Sequence, residues 1–264
     1  MKNEVLSQLP ASFPWRGNIH HFDTIDSTNT EAKKLAAAGA PHGTVILADA
    51  QTGGHGRLGR SFHSPAGSGI YMSVILRPSC TAEALMHLTC AVAVATVNGV
   101  EAATGLRPQI KWTNDLVVET HKLGGILTEL SCTTVGMVDY AVIGIGINCN
   151  QKADDFSADI KDLATSVRMC IGTPVAIHAV AASILTALEQ ICRSLDNSNA
   201  IMTQYRKDCM TIGQKISLVR GDEIRHGTAL DVEDDGALQV QLENGHVEIV
   251  NSGEVSVRGM YGYI

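Results

Sequence analysis

Aromatic residues are scarce, 4% of a 264-residue chain. The core must therefore be filled by Ala, Val, Ile and Leu. Positive charge is also in short supply, with 20 Lys and Arg against 27 Asp and Glu for a net of −7. That balance lacks the basic footprint of a nucleic-acid binder, although a local basic loop can still hold phosphates. No two of the seven cysteines (Cys80, Cys90, Cys132, Cys149, Cys170, Cys192, Cys209) form a C-x-x-C pair. Their odd number argues against a disulfide framework or zinc ribbon and for reduced thiols in the cytoplasm. The opening MKNEVLSQLPASF has Glu4 and no apolar run, so it does not read as a signal peptide. The longest apolar stretch, near Cys90–Val100, is broken by Asn98 and Gly99 and is too short to span a bilayer. His20, His21, His42, His63 and His87 show no pairing at metal-ligand spacing, so no metal site is expected. What remains is a soluble globular composition, 45% hydrophobic and 18% charged.

The pattern of elements predicts an α+β chain. Thr28-x-x-Glu31 reads as a capping box opening a helix over Glu31–Ala38, closed by Gly39 and Pro41. Strands are expected at Thr44–Ala50, Ile70–Leu76, Gln109–Trp112, Leu116–Glu119, Gly125–Ser131 and Val138–Ile147. Thr81–Thr104 reads as a long helix, small and apolar on every side, buried against a sheet. Pro174 at a first helical position opens another helix to about Ser194, and a short one covers Ala200–Met210. From residue 211 the chain alternates in the manner of strands, at Lys215–Val219, Thr228–Val232, Leu238–Leu242 and His246–Val250. Asp235-Gly236 and Asn244-Gly245 stand between these runs as hairpin signals. Residues 211–264 hold four basic and nine acidic residues, a net of −5. The expected organisation is a domain over 1–210 and a small all-β domain with an acidic surface over 211–264.

Four segments carry candidate chemistry. Gly53-Gly54-His55-Gly56-Arg57-Leu58-Gly59-Arg60 combines close backbone approach with cationic side chains, which suits an anion. It is neither a Walker A loop nor a G-x-G-x-x-G helix start, and alone it reads equally well as a mobile surface loop. Lys111-Trp112-Thr113-Asn114-Asp115 lies between strands and could be a plain hairpin turn. Lys122-Leu123-Gly124-Gly125 puts a lysine into a strand whose glycines let a ligand lie against the backbone. Gly144-Ile145-Gly146-Ile147-Asn148 places two glycines in an apolar strand, costly unless something packs closely there.

Together with Ser27-Thr28-Asn29, Gln51 and Ser64-Pro65-x-Gly67 with Tyr71 and Ser73, these segments resemble the biotin–protein ligases in order and spacing. The resemblance is close over about residues 20–150 and looser over the C-terminal part. It implies a mixed β-sheet backed by helices with a small C-terminal β-barrel domain. The implied activity joins biotin to ATP as biotinyl-5′-adenylate, then passes the biotinyl group to one lysine of a biotin carboxyl carrier protein. The implied catalytic residues are Arg57, Asp115 and Lys122. Biotin would meet Ser27, Thr28, Asn29, Gln51, His55, Gly56, Arg57 and Lys122. ATP would meet Arg57, Arg60, Phe62, Lys111, Asn114 and Asn148, with Mg²⁺ accompanying the triphosphate. Arg57 and Lys122 offset the meeting of two anions, and Asp115 serves the acceptor lysine. His55 stands where the family often has arginine, Thr113 where it has proline, and Phe62 where it often has tryptophan. The match begins near residue 20, so no helix-turn-helix and no repressor function are expected. The resemblance leaves a homodimer open. Two rivals remain: a lipoate or octanoate ligase, and a non-catalytic biotin or nucleotide sensor. Cys149 beside the last segment is expected to pack in the strand, not to react.

Overall fold

The computed structural model describes residues 1–195, 197–251 and the backbone of 256–259. Seven strands form one mixed sheet: β1 Ile19–Ile25, β2 Thr44–Gln51, β3 Gly69–Leu76, β4 Gln109–Lys111, β5 Asp115–Val118, β6 His121–Cys132 and β7 Val138–Asn148. Their spatial order is β1-β2-β3-β7-β6-β5-β4. Only β1 and β2 pair in parallel; the other neighbours are antiparallel.

Strand alternation divides the sheet's apolar residues between two layers. Ile46, Ile75 and Val142 face Ala32 and Ala36 of α2 (Thr28–Ala37). Val45, Leu47, Val74, Leu76 and Ile143 join the main core with α3 (Leu88–Thr104) and α5 (Ile177–Cys192). The aromatic-poor composition is thus accommodated by aliphatic packing. The stretch Glu83–Thr104 is long and apolar enough to cross a membrane, but 72% of its window is buried inside the protein.

Several boundaries differ from expectation. Ser27, not Thr28, caps α2: its extended backbone (φ −154°) lets Oγ accept from Thr30 N at 3.4 Å. The long helix begins at Leu88, after a separate turn at Glu83–Leu85. Pro174 stands ahead of α5, which starts at Ile177. The strand predicted from Gly125 begins at His121, because Lys122 is pinned on its far side by residues 163–165. Strand β1 and the short helix α1 (Lys2–Gln8) carry too few apolar positions to announce themselves, and α4 (Val167–Ile171), five residues long, is too short to show a helical period.

After α6 (Ser198–Asp208) comes a five-stranded antiparallel sheet: β8 Lys215–Arg220, β9 Glu223–Val232, β10 Leu238–Leu242, β11 Val247–Val250 and β12 Ser256–Gly259. Both hairpin glycines adopt positive φ, Gly236 at 90° and Gly245 at 82°, as such turns require. The strand order is β11-β10-β9-β8-β12. This sheet leans on the first: Trp112 Nε1 donates to the Gly236 carbonyl at 2.9 Å and Arg206 Nε to that of Val232 at 2.6 Å.

Candidate active site

A cavity opens over the ends of β5, β6 and β7, between α2 and the glycine-rich loop. One wall is neutral and polar. Gln51 Oε1 accepts from Thr28 N at 2.8 Å and lies 3.1 Å from Thr28 Oγ1. Gln51 Nε2 donates to Ser64 Oγ at 3.0 Å, and Ser64 Oγ donates to the Phe62 carbonyl at 2.9 Å. Ser73, fully buried, lies 2.9 Å from Thr28 Oγ1 and donates to Asn29 Oδ1 at 2.6 Å. Asn29 Nδ2 donates to Glu129 at 2.9 Å, and Lys33 Nζ reaches the other oxygen of Glu129 at 2.7 Å.

The strand glycines make room for this wall. A Cβ on Gly144 would stand 2.2 Å from Asn29 Oδ1, and one on Gly146 would stand 2.7 Å from the Phe62 ring. Phe62 also meets Tyr71 edge-on, with centroids 6.3 Å apart.

The opposite wall is cationic. Arg57 Nη1 donates to Asn114 Oδ1 at 3.0 Å. Asn114 is itself locked to β6, its Nδ2 donating to the Ile126 carbonyl at 2.9 Å. Lys122 Nζ donates to Asp115 Oδ1 at 2.7 Å. Lys111, opposite Asp115 in the β4–β5 register, is buried and lines the cavity. Burial draws the Arg57 guanidinium below its usual range and Asp115 pushes it back. Arginine stays charged throughout this range, so the cavity presents fixed positive charge. The loop folds on itself: Gly56 N donates to the Arg60 carbonyl at 2.7 Å, and Leu58, at φ 56°, is 73% exposed.

Of the residues singled out by sequence, Thr28, Asn29, Gln51, His55, Gly56, Arg57, Arg60, Phe62, Lys111, Asn114, Asp115 and Lys122 line this one cavity. Two do not. Ser27 is buried beneath α2 as its cap. Asn148 is buried past the cavity's end, donating to the Thr165 carbonyl at 3.0 Å and accepting from Gln151 at 3.3 Å. Glu129 and Lys33, which hold Asn29 from outside the cavity, were not legible in the sequence; an acid within strand β6 is the one hint they offered. Burial pushes the Cys149 thiol up to about 12, the behaviour of an inert packing residue. Histidine spacing pointed to no metal site. The β1–β2 register nonetheless gathers His21, Asp23 and Asp49 within 4.8 Å, with Asp49 3.0 Å from one ring nitrogen of His21 and Asp23 4.0 Å from the other.

The sequence pattern of the biotin/lipoate A/B protein ligase family matches residues 21–148, and that of the biotin protein ligase C terminal domain matches 211–258. The bifunctional ligase/repressor BirA of Bacillus spizizenii is 35% identical over 254 residues, 96% of this chain and 75% of its own length. The biotin–[acetyl-CoA-carboxylase] ligase of Mycobacterium tuberculosis is 29% identical, covering 87% of this chain and 85% of its own. Among solved structures, the biotin protein ligase from Aquifex aeolicus in complex with biotin and ATP superposes with a TM-score of 0.79. It is 27% identical and covers 92% of this chain and 99% of that one.

Proposed function

The chain belongs to the biotin/lipoate A/B protein ligase family, and from that premise we propose that it is an ATP-dependent biotin–protein ligase. It forms biotinyl-5′-adenylate and transfers the biotinyl group to a specific lysine of a biotin carboxyl carrier protein. The observation that carries this reading is the division of the cavity. Neutral donors and acceptors at Thr28, Asn29 and Gln51 suit an uncharged ring that both donates and accepts. Arg57, Lys111 and Lys122 on the other wall suit a carboxylate and a polyphosphate.

In the first step a carboxylate oxygen of biotin attacks the α-phosphorus of ATP and pyrophosphate leaves. Two anions must meet, and fixed cations in a partly buried site lower that barrier without reorganising. Arg57, held to Asn114, spans the carboxylate and α-phosphate. Lys122 faces the developing charge at the acyl carbon, Lys111 and Arg60 serve the phosphates, and Phe62 offers a flat face to the nucleotide. Mg²⁺ would screen the triphosphate. Asp115 is the only carboxylate among the described lining residues, which fits an ion held mainly by the nucleotide. In the second step the acceptor amine attacks the acyl carbon, AMP leaves and the amine sheds a proton. In this reading Asp115 orients that amine and takes the proton.

The test is mass spectrometry of a carrier domain after incubation with ATP and biotin, or with ATP and lipoate or octanoate. A mass gain with biotin alone is expected. A gain with lipoate or octanoate instead assigns the rival ligase activity, and none with any acid assigns a sensor.

A further inference from the structure

We infer that Tyr205 and Thr211, which lie outside the cavity, are positioning residues for its phosphate end: they brace the Trp112–Thr113 backbone and so hold Lys111 in place. The inference rests on the proposed function, since it concerns how that site grips ATP.

The turn from Lys111 to Asp115 is fastened on two sides by different parts of the chain. Its second half belongs to β6. Ile126 N donates to the Asn114 carbonyl at 2.9 Å, Asn114 Nδ2 donates back to the Ile126 carbonyl at 2.9 Å, and Asp115 pairs with Gly125 in the β5–β6 register. Its first half belongs to the segment that leaves α6. Met210 N donates to the Ile110 carbonyl at 2.9 Å, and Trp112 N donates to Thr211 Oγ1 at 2.9 Å. Lys111 is thus clamped through both of its neighbours in the chain. One residue further on, Tyr205 Oη donates to the Thr113 carbonyl at 3.1 Å. The pairing of Lys111 with Asp115 joins the two halves.

The brace is made out of reach of water. Tyr205, Thr211, Trp112 and Thr113 are all buried. A buried backbone N–H or carbonyl is costly without a partner, so each side chain fixes the backbone group it meets. The Thr113 hydroxyl has no hydrogen-bond partner among the described residues, and that residue is fastened to Tyr205 through its carbonyl. The buried thiols of Cys90 and Cys209 also meet the Tyr205 hydroxyl, but sulfur is a weak acceptor and the carbonyl takes the phenolic hydrogen. Burial pushes the phenol well above its ordinary range, so it remains a donor at neutral and mildly alkaline pH.

The two fastenings divide the work of the turn. Lys111 is buried, where a small displacement of its ammonium changes its pull on a phosphate more than it would in water. Arg57 is anchored to Asn114, and Asp115 is bonded to Lys122, so both take their positions from the β6 side. Loosening the first half should therefore weaken the hold on ATP and spare biotin recognition and transfer.

The test is Tyr205→Phe and Thr211→Val in the full chain. The first keeps the ring and removes the donor; the second keeps the shape and removes the acceptor. Biotin-dependent exchange of pyrophosphate with ATP gives both KM values, and transfer from supplied biotinyl-adenylate to a carrier domain reads the second step alone. Each variant should raise KM for ATP roughly tenfold, as loss of one buried hydrogen bond would. KM for biotin and transfer from supplied adenylate should stay within about twofold, because uniform loss of one substrate's binding leaves the other steps alone. Thr211→Ser, which keeps the acceptor, should restore the wild-type KM for ATP. If Tyr205→Phe fails to fold, the Thr211→Val and Thr211→Ser pair decides. A role confined to folding would lower the melting temperature and leave KM for ATP where it was, and that result in folded variants overturns the inference. So does an equal loss of ATP binding, biotin binding and transfer. Failure of the wild type to exchange pyrophosphate in the presence of biotin overturns the proposed function and this inference with it.

Discussion

The two sheets of this chain are built on different terms. In the first, buried Ser27, Thr28, Asn29, Ser64, Ser73, Lys111 and Asn148 stand among the strands and helices around the cavity. Every buried polar side chain among the described residues falls at or before Thr211. In the C-terminal sheet the buried set is Ile216, Leu218, Ala229, Val232, Ala237, Leu238, Val240 and Val250, all apolar. Burying a polar group costs free energy unless it is bonded, and keeping it bonded restrains the sequence. The first sheet accepts that cost where a ligand must be recognised. The second buries apolar residues only, and it leaves Ile224, Leu230, Val247 and Ile249 exposed on its outer surface.

The largest expected effect lies on the cationic wall. Asp115→Ala should slow transfer to the carrier by about 10²–10⁴-fold, the usual contribution of a positioned acid or base. Supplying purified biotinyl-adenylate bypasses the first step. Lys122→Ala should then regain part of its transfer rate while Asp115→Ala stays slow. The two side chains are bonded at 2.7 Å, so the recovery of Lys122→Ala should be incomplete. The defect of Asp115→Ala should shrink at high pH, since an acceptor lysine with an ordinary pKa near 10.4 is then increasingly neutral without help. Normal transfer by Asp115→Ala from supplied adenylate would move Asp115 to the nucleotide side.

A paired substitution sharpens the contrast between the sheets. Alanine at Gly144 would put a Cβ 2.2 Å from Asn29 Oδ1, and alanine at Gly227 would put one 2.6 Å from the Gln241 carbonyl. Both positions are strand glycines in close contact. Gly144→Ala should weaken biotin binding about ten- to a hundredfold, since displacing Asn29 strands buried partners at about 1–3 kcal/mol each. Gly227→Ala should cost stability of about 1–3 kcal/mol by overpacking and leave the biotin Kd unchanged. Calorimetric titration and thermal melts of both variants check this. Equal losses of binding would show that the C-terminal sheet also shapes the cavity.

The cavity was legible to the extent that its chemistry is concentrated in short segments. Arg57 in a glycine-rich loop, Lys111 and Asp115 flanking a turn, and Lys122 entering a glycine-bearing strand each carry their meaning locally. What sequence missed depends on register and on long returns of the chain. Asn29 and Glu129 lie 100 residues apart and meet only because β6 runs beside β7 under α2. Asn148 follows Gly144 and Gly146 at strand spacing, so it read as a site residue. The chain beyond β7 folds back to bring Gln151 and Thr165 over it. Ser27 and Thr28 differ by one position, and only the backbone turn into α2 decides which caps and which faces the cavity. In the C-terminal part, alternation and two glycine turns marked the hairpins. The first half of β9, Glu223–Gly227, escaped notice because most of its residues are polar and exposed.

The smallest expected effect lies on the outer face of the second sheet. Ile249 on β11 is 49% exposed, and Val247 beside it is 43% exposed. Ile249→Thr keeps the β-branch that suits a strand and removes only partly exposed apolar surface. Surface substitutions of this kind usually stay within about 0.5 kcal/mol. For a chain of this size that is a melting shift of about 2 °C or less. Adenylate formation and transfer to the carrier domain should both stay within about twofold of wild type. The informative failure is a selective one. If Ile249→Thr forms adenylate normally but transfers it several-fold more slowly, with the deficit appearing as a raised KM for the carrier domain, the exposed residues of β11 are a docking surface. The second sheet would then be patterned for recognition as well as for folding, with its recognition carried by apolar residues left outside instead of polar residues held within.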